Sequence, residues 1–105
     1  MAWVMLFVAG LLEVVWAYSM KLSQGFTRPA ATAVTLVAMT ASFALLSASM
    51  RTLPLGTAYT IWTGIGAVGA FVLGVVSLGE SMNAARILAA GLIISGLVLM
   101  KVATP

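Results

Sequence analysis

The chain has neither cysteine nor histidine, and it has only two acidic residues, Glu13 and Glu80. Without cysteine it forms no disulfide and offers no thiolate as a nucleophile or metal ligand. Without histidine it lacks the commonest metal ligand and the usual proton shuttle of proteins. Two carboxylates are too few for a multi-ligand metal site within one chain. We therefore expect no metal, no cofactor and no enzymatic activity.

Charge is scarce throughout the sequence. Charged residues make up 7% of the 105 residues, and hydrophobic residues make up 63%. A soluble domain has about 25% charged and 45–50% apolar residues. The five basic residues give a net charge of +3 but are scattered, so there is no basic patch for a nucleic acid. This composition predicts a protein whose solvent is the lipid bilayer.

Four apolar stretches are long enough to cross a bilayer, which takes a helix of about 20 residues. Pro29 is well placed to begin the second helix, because proline is favoured in the first turn. The fourth stretch is the shortest, and it spans the bilayer only if Arg86 extends its side chain to the interface. The sequence thus predicts an all-α membrane protein, with a single domain over residues 1–105 and spans at residues 2–20, 30–50, 55–78 and 84–101.

The basic residues at the ends of the spans are nearly balanced between the two sides of the membrane. Four crossings place Lys21, Arg28 and Arg86 on one side and Arg51 and Lys101 on the other. Orientation follows the Lys/Arg excess of short loops, and a difference of one residue is small. Our hypothesis is dual topology, in which two inverted copies form an antiparallel homodimer with pseudo-two-fold symmetry. The alternative is a parallel dimer with one preferred orientation.

Glu13 is a carboxylate in the middle of the first span, roughly 12 Å from the boundary marked by Lys21. A charge at the bilayer centre costs from about 3 to more than 10 kcal/mol, so such residues usually have a function. Residues three positions away share its helix face, which adds Gly10 and Trp16 to a predicted cavity lining. The tryptophan ring offers a cation its π face and the carboxylate its N–H. The alternatives are that Glu13 only holds helices together and that Trp16 belongs to the interfacial aromatic belt.

Three more polar or aromatic residues lie at a similar depth in other spans. Trp62 lies about 12 Å from the boundary near Pro54, with Tyr59 one turn earlier, and Ser42 lies near the centre of the second span. We predict that they converge with Glu13 on one substrate site. Alternatively, the two aromatic residues belong to the interfacial belt, and the serine bonds to its own helix backbone.

Small residues mark two further positions. Gly64 and Gly66 lie at the middle of the third span, where they predict either a hinge or close helix packing. The fourth span has no acidic or aromatic residue, but it contains Gly91, Ser95 and Gly96. A helix with small residues and no chemical groups suits self-association, so these three residues are predicted to form the dimer contact.

A lone membrane carboxylate suits one mechanism in particular. If a proton and a cation compete for it, and the site faces the two sides of the membrane in turn, exchange of one for the other follows without ATP. The sequence has no phosphate-binding loop of the Walker type, which agrees with such an antiporter.

The chain resembles the small multidrug resistance family over essentially its full length. The resemblance lies in the central Glu13 and in the third-span stretch from Pro54 to Gly66. Within that family, the strings Glu13-Val14-Val15-Trp16-Ala17, Gly25-Phe26-Thr27-Arg28 and Trp62-Thr63-Gly64-Ile65-Gly66 resemble the guanidinium-exporter branch. One departure is Thr60, where the family usually has alanine.

The resemblance implies an antiparallel homodimer in the bacterial inner membrane that exports guanidinium ions by proton-coupled alternating access. It implies that Glu13 of both subunits binds substrate and protons, that Trp16, Ser42, Tyr59 and Trp62 surround the carboxylates, and that the fourth helices join the dimer. The alternatives are an exporter of quaternary ammonium and other lipophilic cations, a small dual-topology channel, and a membrane assembly protein.

Overall fold

The computed structural model describes residues 1–104, and it is built from four α-helices in chain order. These are α1 (Ala2–Leu22), α2 (Pro29–Ser49), α3 (Leu55–Leu78) and α4 (Ala84–Ala103). Each helix is long and apolar enough to cross a membrane. The prediction of an all-α protein with four such helices is confirmed. Helices α1 and α4 each run two residues beyond the predicted spans, because Lys21 and Lys101 lie in their last turns, where a cation interacts favourably with the helix dipole.

Local sequence explains where the helices start and stop. Pro29 occupies the first turn of α2 and follows Arg28 in an extended conformation. Helix α3 ends at Gly79, whose φ of 69° is left-handed and therefore suits glycine. The next N–H, from Glu80, donates to the carbonyl of Gly74 at 3.0 Å. Helix α4 begins after Asn83, whose side chain accepts a hydrogen bond from a backbone N–H of the first turn.

The turn between α1 and α2 is tight and organised around a buried serine. The hydroxyl of Ser23 donates to the carbonyl of Met20 at 2.7 Å and accepts from the N–H of Phe26 at 3.0 Å. Gln24, Gly25 and Phe26 all have positive φ angles. This left-handed stretch reverses the chain, so that α2 returns beside α1.

Helix α1 is the central element of the packing. It packs against both α2 and α3, whereas α2 and α3 touch each other only briefly, and α4 packs on α3. The resulting molecule is flat, with extents of 43 × 35 × 16 Å. Helix α4 has no buried residue, so most of its surface is exposed.

The core lies where α1, α2 and α3 meet. Its buried hydrophobic members are Leu6, Ala9, Leu46, Ala58, Ile61 and Trp62. Several hydroxyls in the helices donate to a carbonyl one turn earlier on the same helix, as Thr35 does to Ala31. Ser42 is different, because it reaches another helix. The core therefore brings the middle of α1 against the middles of α2 and α3.

Candidate cation site around Glu13

Glu13 lies in the middle of α1 on the side that faces α3, and its carboxylate rests against the backbone of Gly66. A Cβ atom added to Gly66 would overlap the carboxylate and would lie 2.8 Å from the Glu13 Cγ. Gly66 is buried, so a Cβ atom there could be accommodated only if the Glu13 carboxylate moved. The absence of a side chain at Gly66 therefore creates the room that the Glu13 carboxylate occupies.

Two other glycines bring α1 and α3 equally close. A Cβ atom at Gly10 of α1 would lie 2.6 Å from the side chain of Ile65 on α3. A Cβ atom at Gly69 of α3 would overlap the side chain of Val14 on α1. Gly10 was predicted to line the cavity, and the structure places it in tight contact with α3 one turn from Glu13. These two contacts fix the position of α1 along α3.

One oxygen of the Glu13 carboxylate is buried and has no hydrogen-bond donor among the described residues. A buried polar atom without a partner costs free energy, typically about 1–3 kcal/mol and more for a charged group. A carboxylate oxygen accepts hydrogen bonds and donates one only when it is protonated. A proton, or a cation that carries N–H groups, would supply what this oxygen lacks.

Ser42, predicted as a site residue, links three helices. The indole N–H of Trp62 on α3 donates to the Ser42 hydroxyl at 2.9 Å, and that hydroxyl donates to the carbonyl of Ala9 on α1 at 2.7 Å. Ser42 is fully buried. The Ser42 hydroxyl thus contacts α1 one turn before Glu13, since Ala9 is four residues before Glu13 on the same face, and the Trp62 indole follows through its bond to Ser42. Neither Ser42 nor Trp62 has a hydrogen bond to the carboxylate in this structure; Ser42 bonds instead to α1 one turn before Glu13.

The aromatic residues form a continuous cluster beside this link. Trp16 meets Phe43 edge to face at 6.3 Å between ring centroids, Phe43 meets Trp62 at 5.8 Å, and Trp62 meets Tyr59 at 5.6 Å. The three aromatic residues predicted from the sequence are therefore brought together. Phe43 joins them and was missed, although its position next to Ser42 at mid-depth of α2 was a usable signal.

Trp16 does not make the hydrogen bond that its spacing suggested. Its indole nitrogen is buried and has no partner among residues 1–104, so it does not donate to Glu13. Three positions on a helix bring two side chains to one face, but they do not fix the rotamers that would join them. The indole N–H is thus a second polar atom without a partner near the carboxylate turn.

Gly64 and the predicted residues of α4 have other surroundings. Gly64 packs α3 against α4, since a Cβ atom there would overlap the side chain of Leu97. Helix α3 runs unbroken through Gly64 and Gly66, and their role as a hinge stays a prediction. On α4, Gly91 and Gly96 have open space around them, and the Ser95 hydroxyl donates to the Gly91 carbonyl. The dimer contact at these α4 residues also stays a prediction.

The helices define a multi-pass membrane protein, and Glu13 is its candidate site. A single carboxylate with an unsatisfied oxygen lies in α1, and Trp16, three residues further along α1, belongs to a cluster of four aromatic rings, whose faces attract cations. Among the described residues, no group of three or more acidic, histidine or cysteine side chains is close enough to hold a metal ion.

Comparison with known proteins identifies the family. The profile of the Small Multidrug Resistance protein family matches residues 1–93. The chain is 54% identical over 104 residues to a guanidinium exporter of Citrobacter freundii, with 99% of both chains covered. It is 56% identical over 104 residues to a guanidinium exporter of Yersinia pestis, and the aligned part covers 99% of this chain and 100% of the relative. The chain belongs to the small multidrug resistance family, and its role is that of a membrane transporter.

Proposed function

We propose that this protein exports guanidinium and small substituted guanidinium ions in exchange for protons. Relatives about 55% identical over nearly the whole chain are guanidinium exporters. The observation that carries the proposal is the Glu13 carboxylate, which lies between α1 and α3 with one oxygen that has no donor among residues 1–104. No other acidic side chain among residues 1–104 lies inside a helix.

The chemistry of the site favours a planar cation with N–H donors. A guanidinium ion presents its N–H groups in a rigid fork that fits both oxygens of a carboxylate. Its flat face stacks on an aromatic ring, and Trp16 is three residues from Glu13 with Phe43 against it. A quaternary ammonium ion donates no hydrogen bond, so it would leave the carboxylate oxygen without a partner.

Coupling follows from competition for one group. A protonated Glu13 cannot pair with guanidinium, and a carboxylate paired with guanidinium cannot take a proton at the same oxygens. If the site opens to the two sides of the membrane in turn, each guanidinium ion leaves only when protons replace it. Trp16, Ser42, Tyr59 and Trp62 line and position this site.

The functional unit that we propose is an antiparallel homodimer in the bacterial inner membrane. The basic residues at the span ends are divided three to two, which allows insertion in both orientations. Helix α4 has no buried residue, and its small residues Gly91 and Ser95 lie on an exposed face. Two inverted copies would bring two Glu13 carboxylates into one cavity, where their titrations would be coupled.

Transport into reconstituted vesicles tests the proposal. We expect a pH gradient to drive guanidinium against its own gradient and Glu13→Gln to abolish this movement. Glu80→Gln is the matched control, because it removes the only other acidic side chain, which lies partly exposed outside the helices. We expect it to transport like the unaltered protein.

Three results would contradict the proposal. Proton-driven transport by Glu13→Gln at the unaltered rate would exclude Glu13 as the shared site. A guanidinium leak that ignores the pH gradient would indicate a channel. Transport of tetraalkylammonium ions without any transport of guanidinium would place the protein with the exporters of quaternary ammonium ions.

A further inference from the structure

Thr63 is an exposed residue of α3, one helical turn before Gly66. Residues three positions apart are neighbours on a helix, with Cβ positions about 5–6 Å apart. The Glu13 carboxylate rests against Gly66, so Thr63 lies on the turn of α3 beside the one that the carboxylate touches. Among the residues of α3 that carry a hydroxyl, Thr63 is the nearest to Gly66 along the chain.

The hydroxyl of Thr63 lacks the bond that other threonines make. Thr32, Thr35 and Thr40 of α2 each donate to the backbone carbonyl four residues earlier. Within residues 1–104, the Thr63 hydroxyl has no hydrogen-bond partner, although it lies in the middle of a membrane-spanning helix. A polar group without a partner is unfavourable against lipid tails, and it would be equally unfavourable against apolar residues of a second copy. A polar ligand or water therefore suits this position.

The surface around Thr63 differs from the lipid-facing surfaces of the other helices. Between residues 60 and 71, the exposed positions of α3 are Thr60, Thr63 and Ala67, and none of them is a large apolar side chain. The exposed surfaces of α2 and α4 instead carry large apolar residues such as Val37 and Leu92, which are 71% and 65% exposed. The middle of α3 thus presents a small and polar surface.

An open hollow of about 480 Å³ lies along this surface, between α3 and α4. Thr63 borders it together with Tyr59, and Gly96 borders it from α4. The Tyr59 ring also contacts Trp62 in the aromatic cluster, at 5.6 Å between ring centroids. Thr63 is therefore next to open space that adjoins the aromatic residues of the site.

A bound guanidinium ion would need acceptors besides Glu13. The ion carries three NH₂ groups and no acceptor, and a bidentate pair with the carboxylate uses only two of its N–H groups. The indoles of Trp16 and Trp62 are donors and cannot serve the others. The Ser42 hydroxyl already accepts from Trp62 and donates to the carbonyl of Ala9. The side chains gathered around the carboxylate are thus rich in donors and poor in free acceptors.

We propose that Thr63 determines specificity by accepting a hydrogen bond from an N–H group of the bound guanidinium ion that Glu13 leaves unpaired. This inference rests on the proposed function, because it concerns the same substrate and the same site. The hydroxyl favours guanidinium ions that keep N–H groups on the side away from the carboxylate. An ion with alkyl groups on that side gains nothing from Thr63.

Calorimetric titration of the purified full chain with two ions tests this selectivity. Guanidinium has N–H groups on every side, whereas the two N–H groups of N,N,N′,N′-tetramethylguanidinium lie on one nitrogen, where the carboxylate accepts them. Thr63→Val replaces the hydroxyl by a methyl group of similar size, so the dissociation constant for guanidinium should rise about 10-fold. The dissociation constant for the tetramethyl ion should change by less than about twofold, since that ion leaves no N–H for Thr63.

Two further variants separate hydrogen bonding from packing. Thr63→Ser keeps the hydroxyl and should bind guanidinium within about threefold of the unaltered protein. Thr40→Val is the matched control, because Thr40 is also exposed but its hydroxyl bonds to its own helix, and it should leave both affinities unchanged. The comparison of Thr63→Val with Thr63→Ser needs guanidinium alone, so it decides the matter even if the tetramethyl ion binds too weakly to measure.

Several results would overturn the inference. These are unchanged guanidinium binding by Thr63→Val, equal weakening of both ions, and a Thr63→Ser variant as weak as Thr63→Val, which would indicate a packing role. If Thr63→Val binds guanidinium normally while Glu13→Gln does not bind it, the inference on Thr63 fails and the proposed function stands. If the unaltered protein does not bind guanidinium, both fail.

Discussion

Replacing Gly66 by alanine adds one methyl group directly against the Glu13 carboxylate. The new Cβ atom would overlap the carboxylate and lie 2.8 Å from Cγ, whereas ordinary van der Waals contact begins at 3.4 Å. The crowded atoms are the end of a flexible side chain, so we expect the carboxylate to move by about 1 Å while the backbone stays in place. The substitution therefore tests whether the position of this carboxylate matters.

The expected effects on stability and on binding differ in size. Overpacking costs about 1–3 kcal/mol, and replacing a helical glycine by alanine returns about 1 kcal/mol, so the net loss of stability is about 0–2 kcal/mol. A displaced carboxylate should lose about one of its two charge-assisted hydrogen bonds to guanidinium, each about 1.5–3 kcal/mol. The dissociation constant should then rise about 10- to 100-fold.

Calorimetric titration of the purified protein with guanidinium measures this change, and thermal unfolding in detergent measures stability. Gly56→Ala is the control on the same helix, because a Cβ atom there meets nothing within 4 Å. Gly69→Ala is the second control, since it crowds Val14 one turn further along and should cost stability while leaving the affinity near that of the unaltered protein. If Gly66→Ala binds guanidinium as tightly as Gly56→Ala does, the carboxylate is not positioned by this contact.

Two further predictions concern stability. The first is a double-mutant cycle with Ser42→Ala and Trp62→Phe, measured by unfolding in detergent. Because the indole N–H donates to the serine hydroxyl, the coupling energy should be about 0.6–1.7 kcal/mol. A coupling energy of zero would contradict that hydrogen bond. The second concerns Glu80→Gln, which removes the ion pair with Arg86. The two side chains are 44% and 37% exposed, so the free energy of unfolding should fall by no more than about 1 kcal/mol. A larger loss would mean that a partner shields the pair from solvent.

The helices could be predicted because their causes are local. Twenty consecutive apolar residues, a proline at the start of α2 and a glycine at the end of α3 determine helix type and limits without reference to other elements. The exception is at Lys21 and Lys101, which extend α1 and α4 because a basic residue is compatible with a last helical turn. The predicted spans ended before Lys21 and at Lys101 because a charged residue ends the apolar part of a helix, but the helix itself continues through it.

The candidate site was predicted in part. Helical spacing placed Trp16 and Gly10 on the face of Glu13, and depth placed Ser42 and Trp62 at the same level. The structure joins the latter two to each other and to α1, rather than to the carboxylate. Depth specifies which residues are level with one another, but the rotation of each helix about its own axis decides which of them meet.

The sequence by itself determined that this is a four-helix membrane protein with one carboxylate at mid-depth, because length, hydropathy and helical period are properties of consecutive residues. Tertiary structure decided that Gly66 makes room for Glu13, that Ser42 links α2 to both α1 and α3, and that Phe43 completes the aromatic cluster. It also packed α4 on α3 and left most of the surface of α4 exposed. These features depend on how close the helices come and how they are rotated, which is set by small residues that pack against groups distant in the sequence.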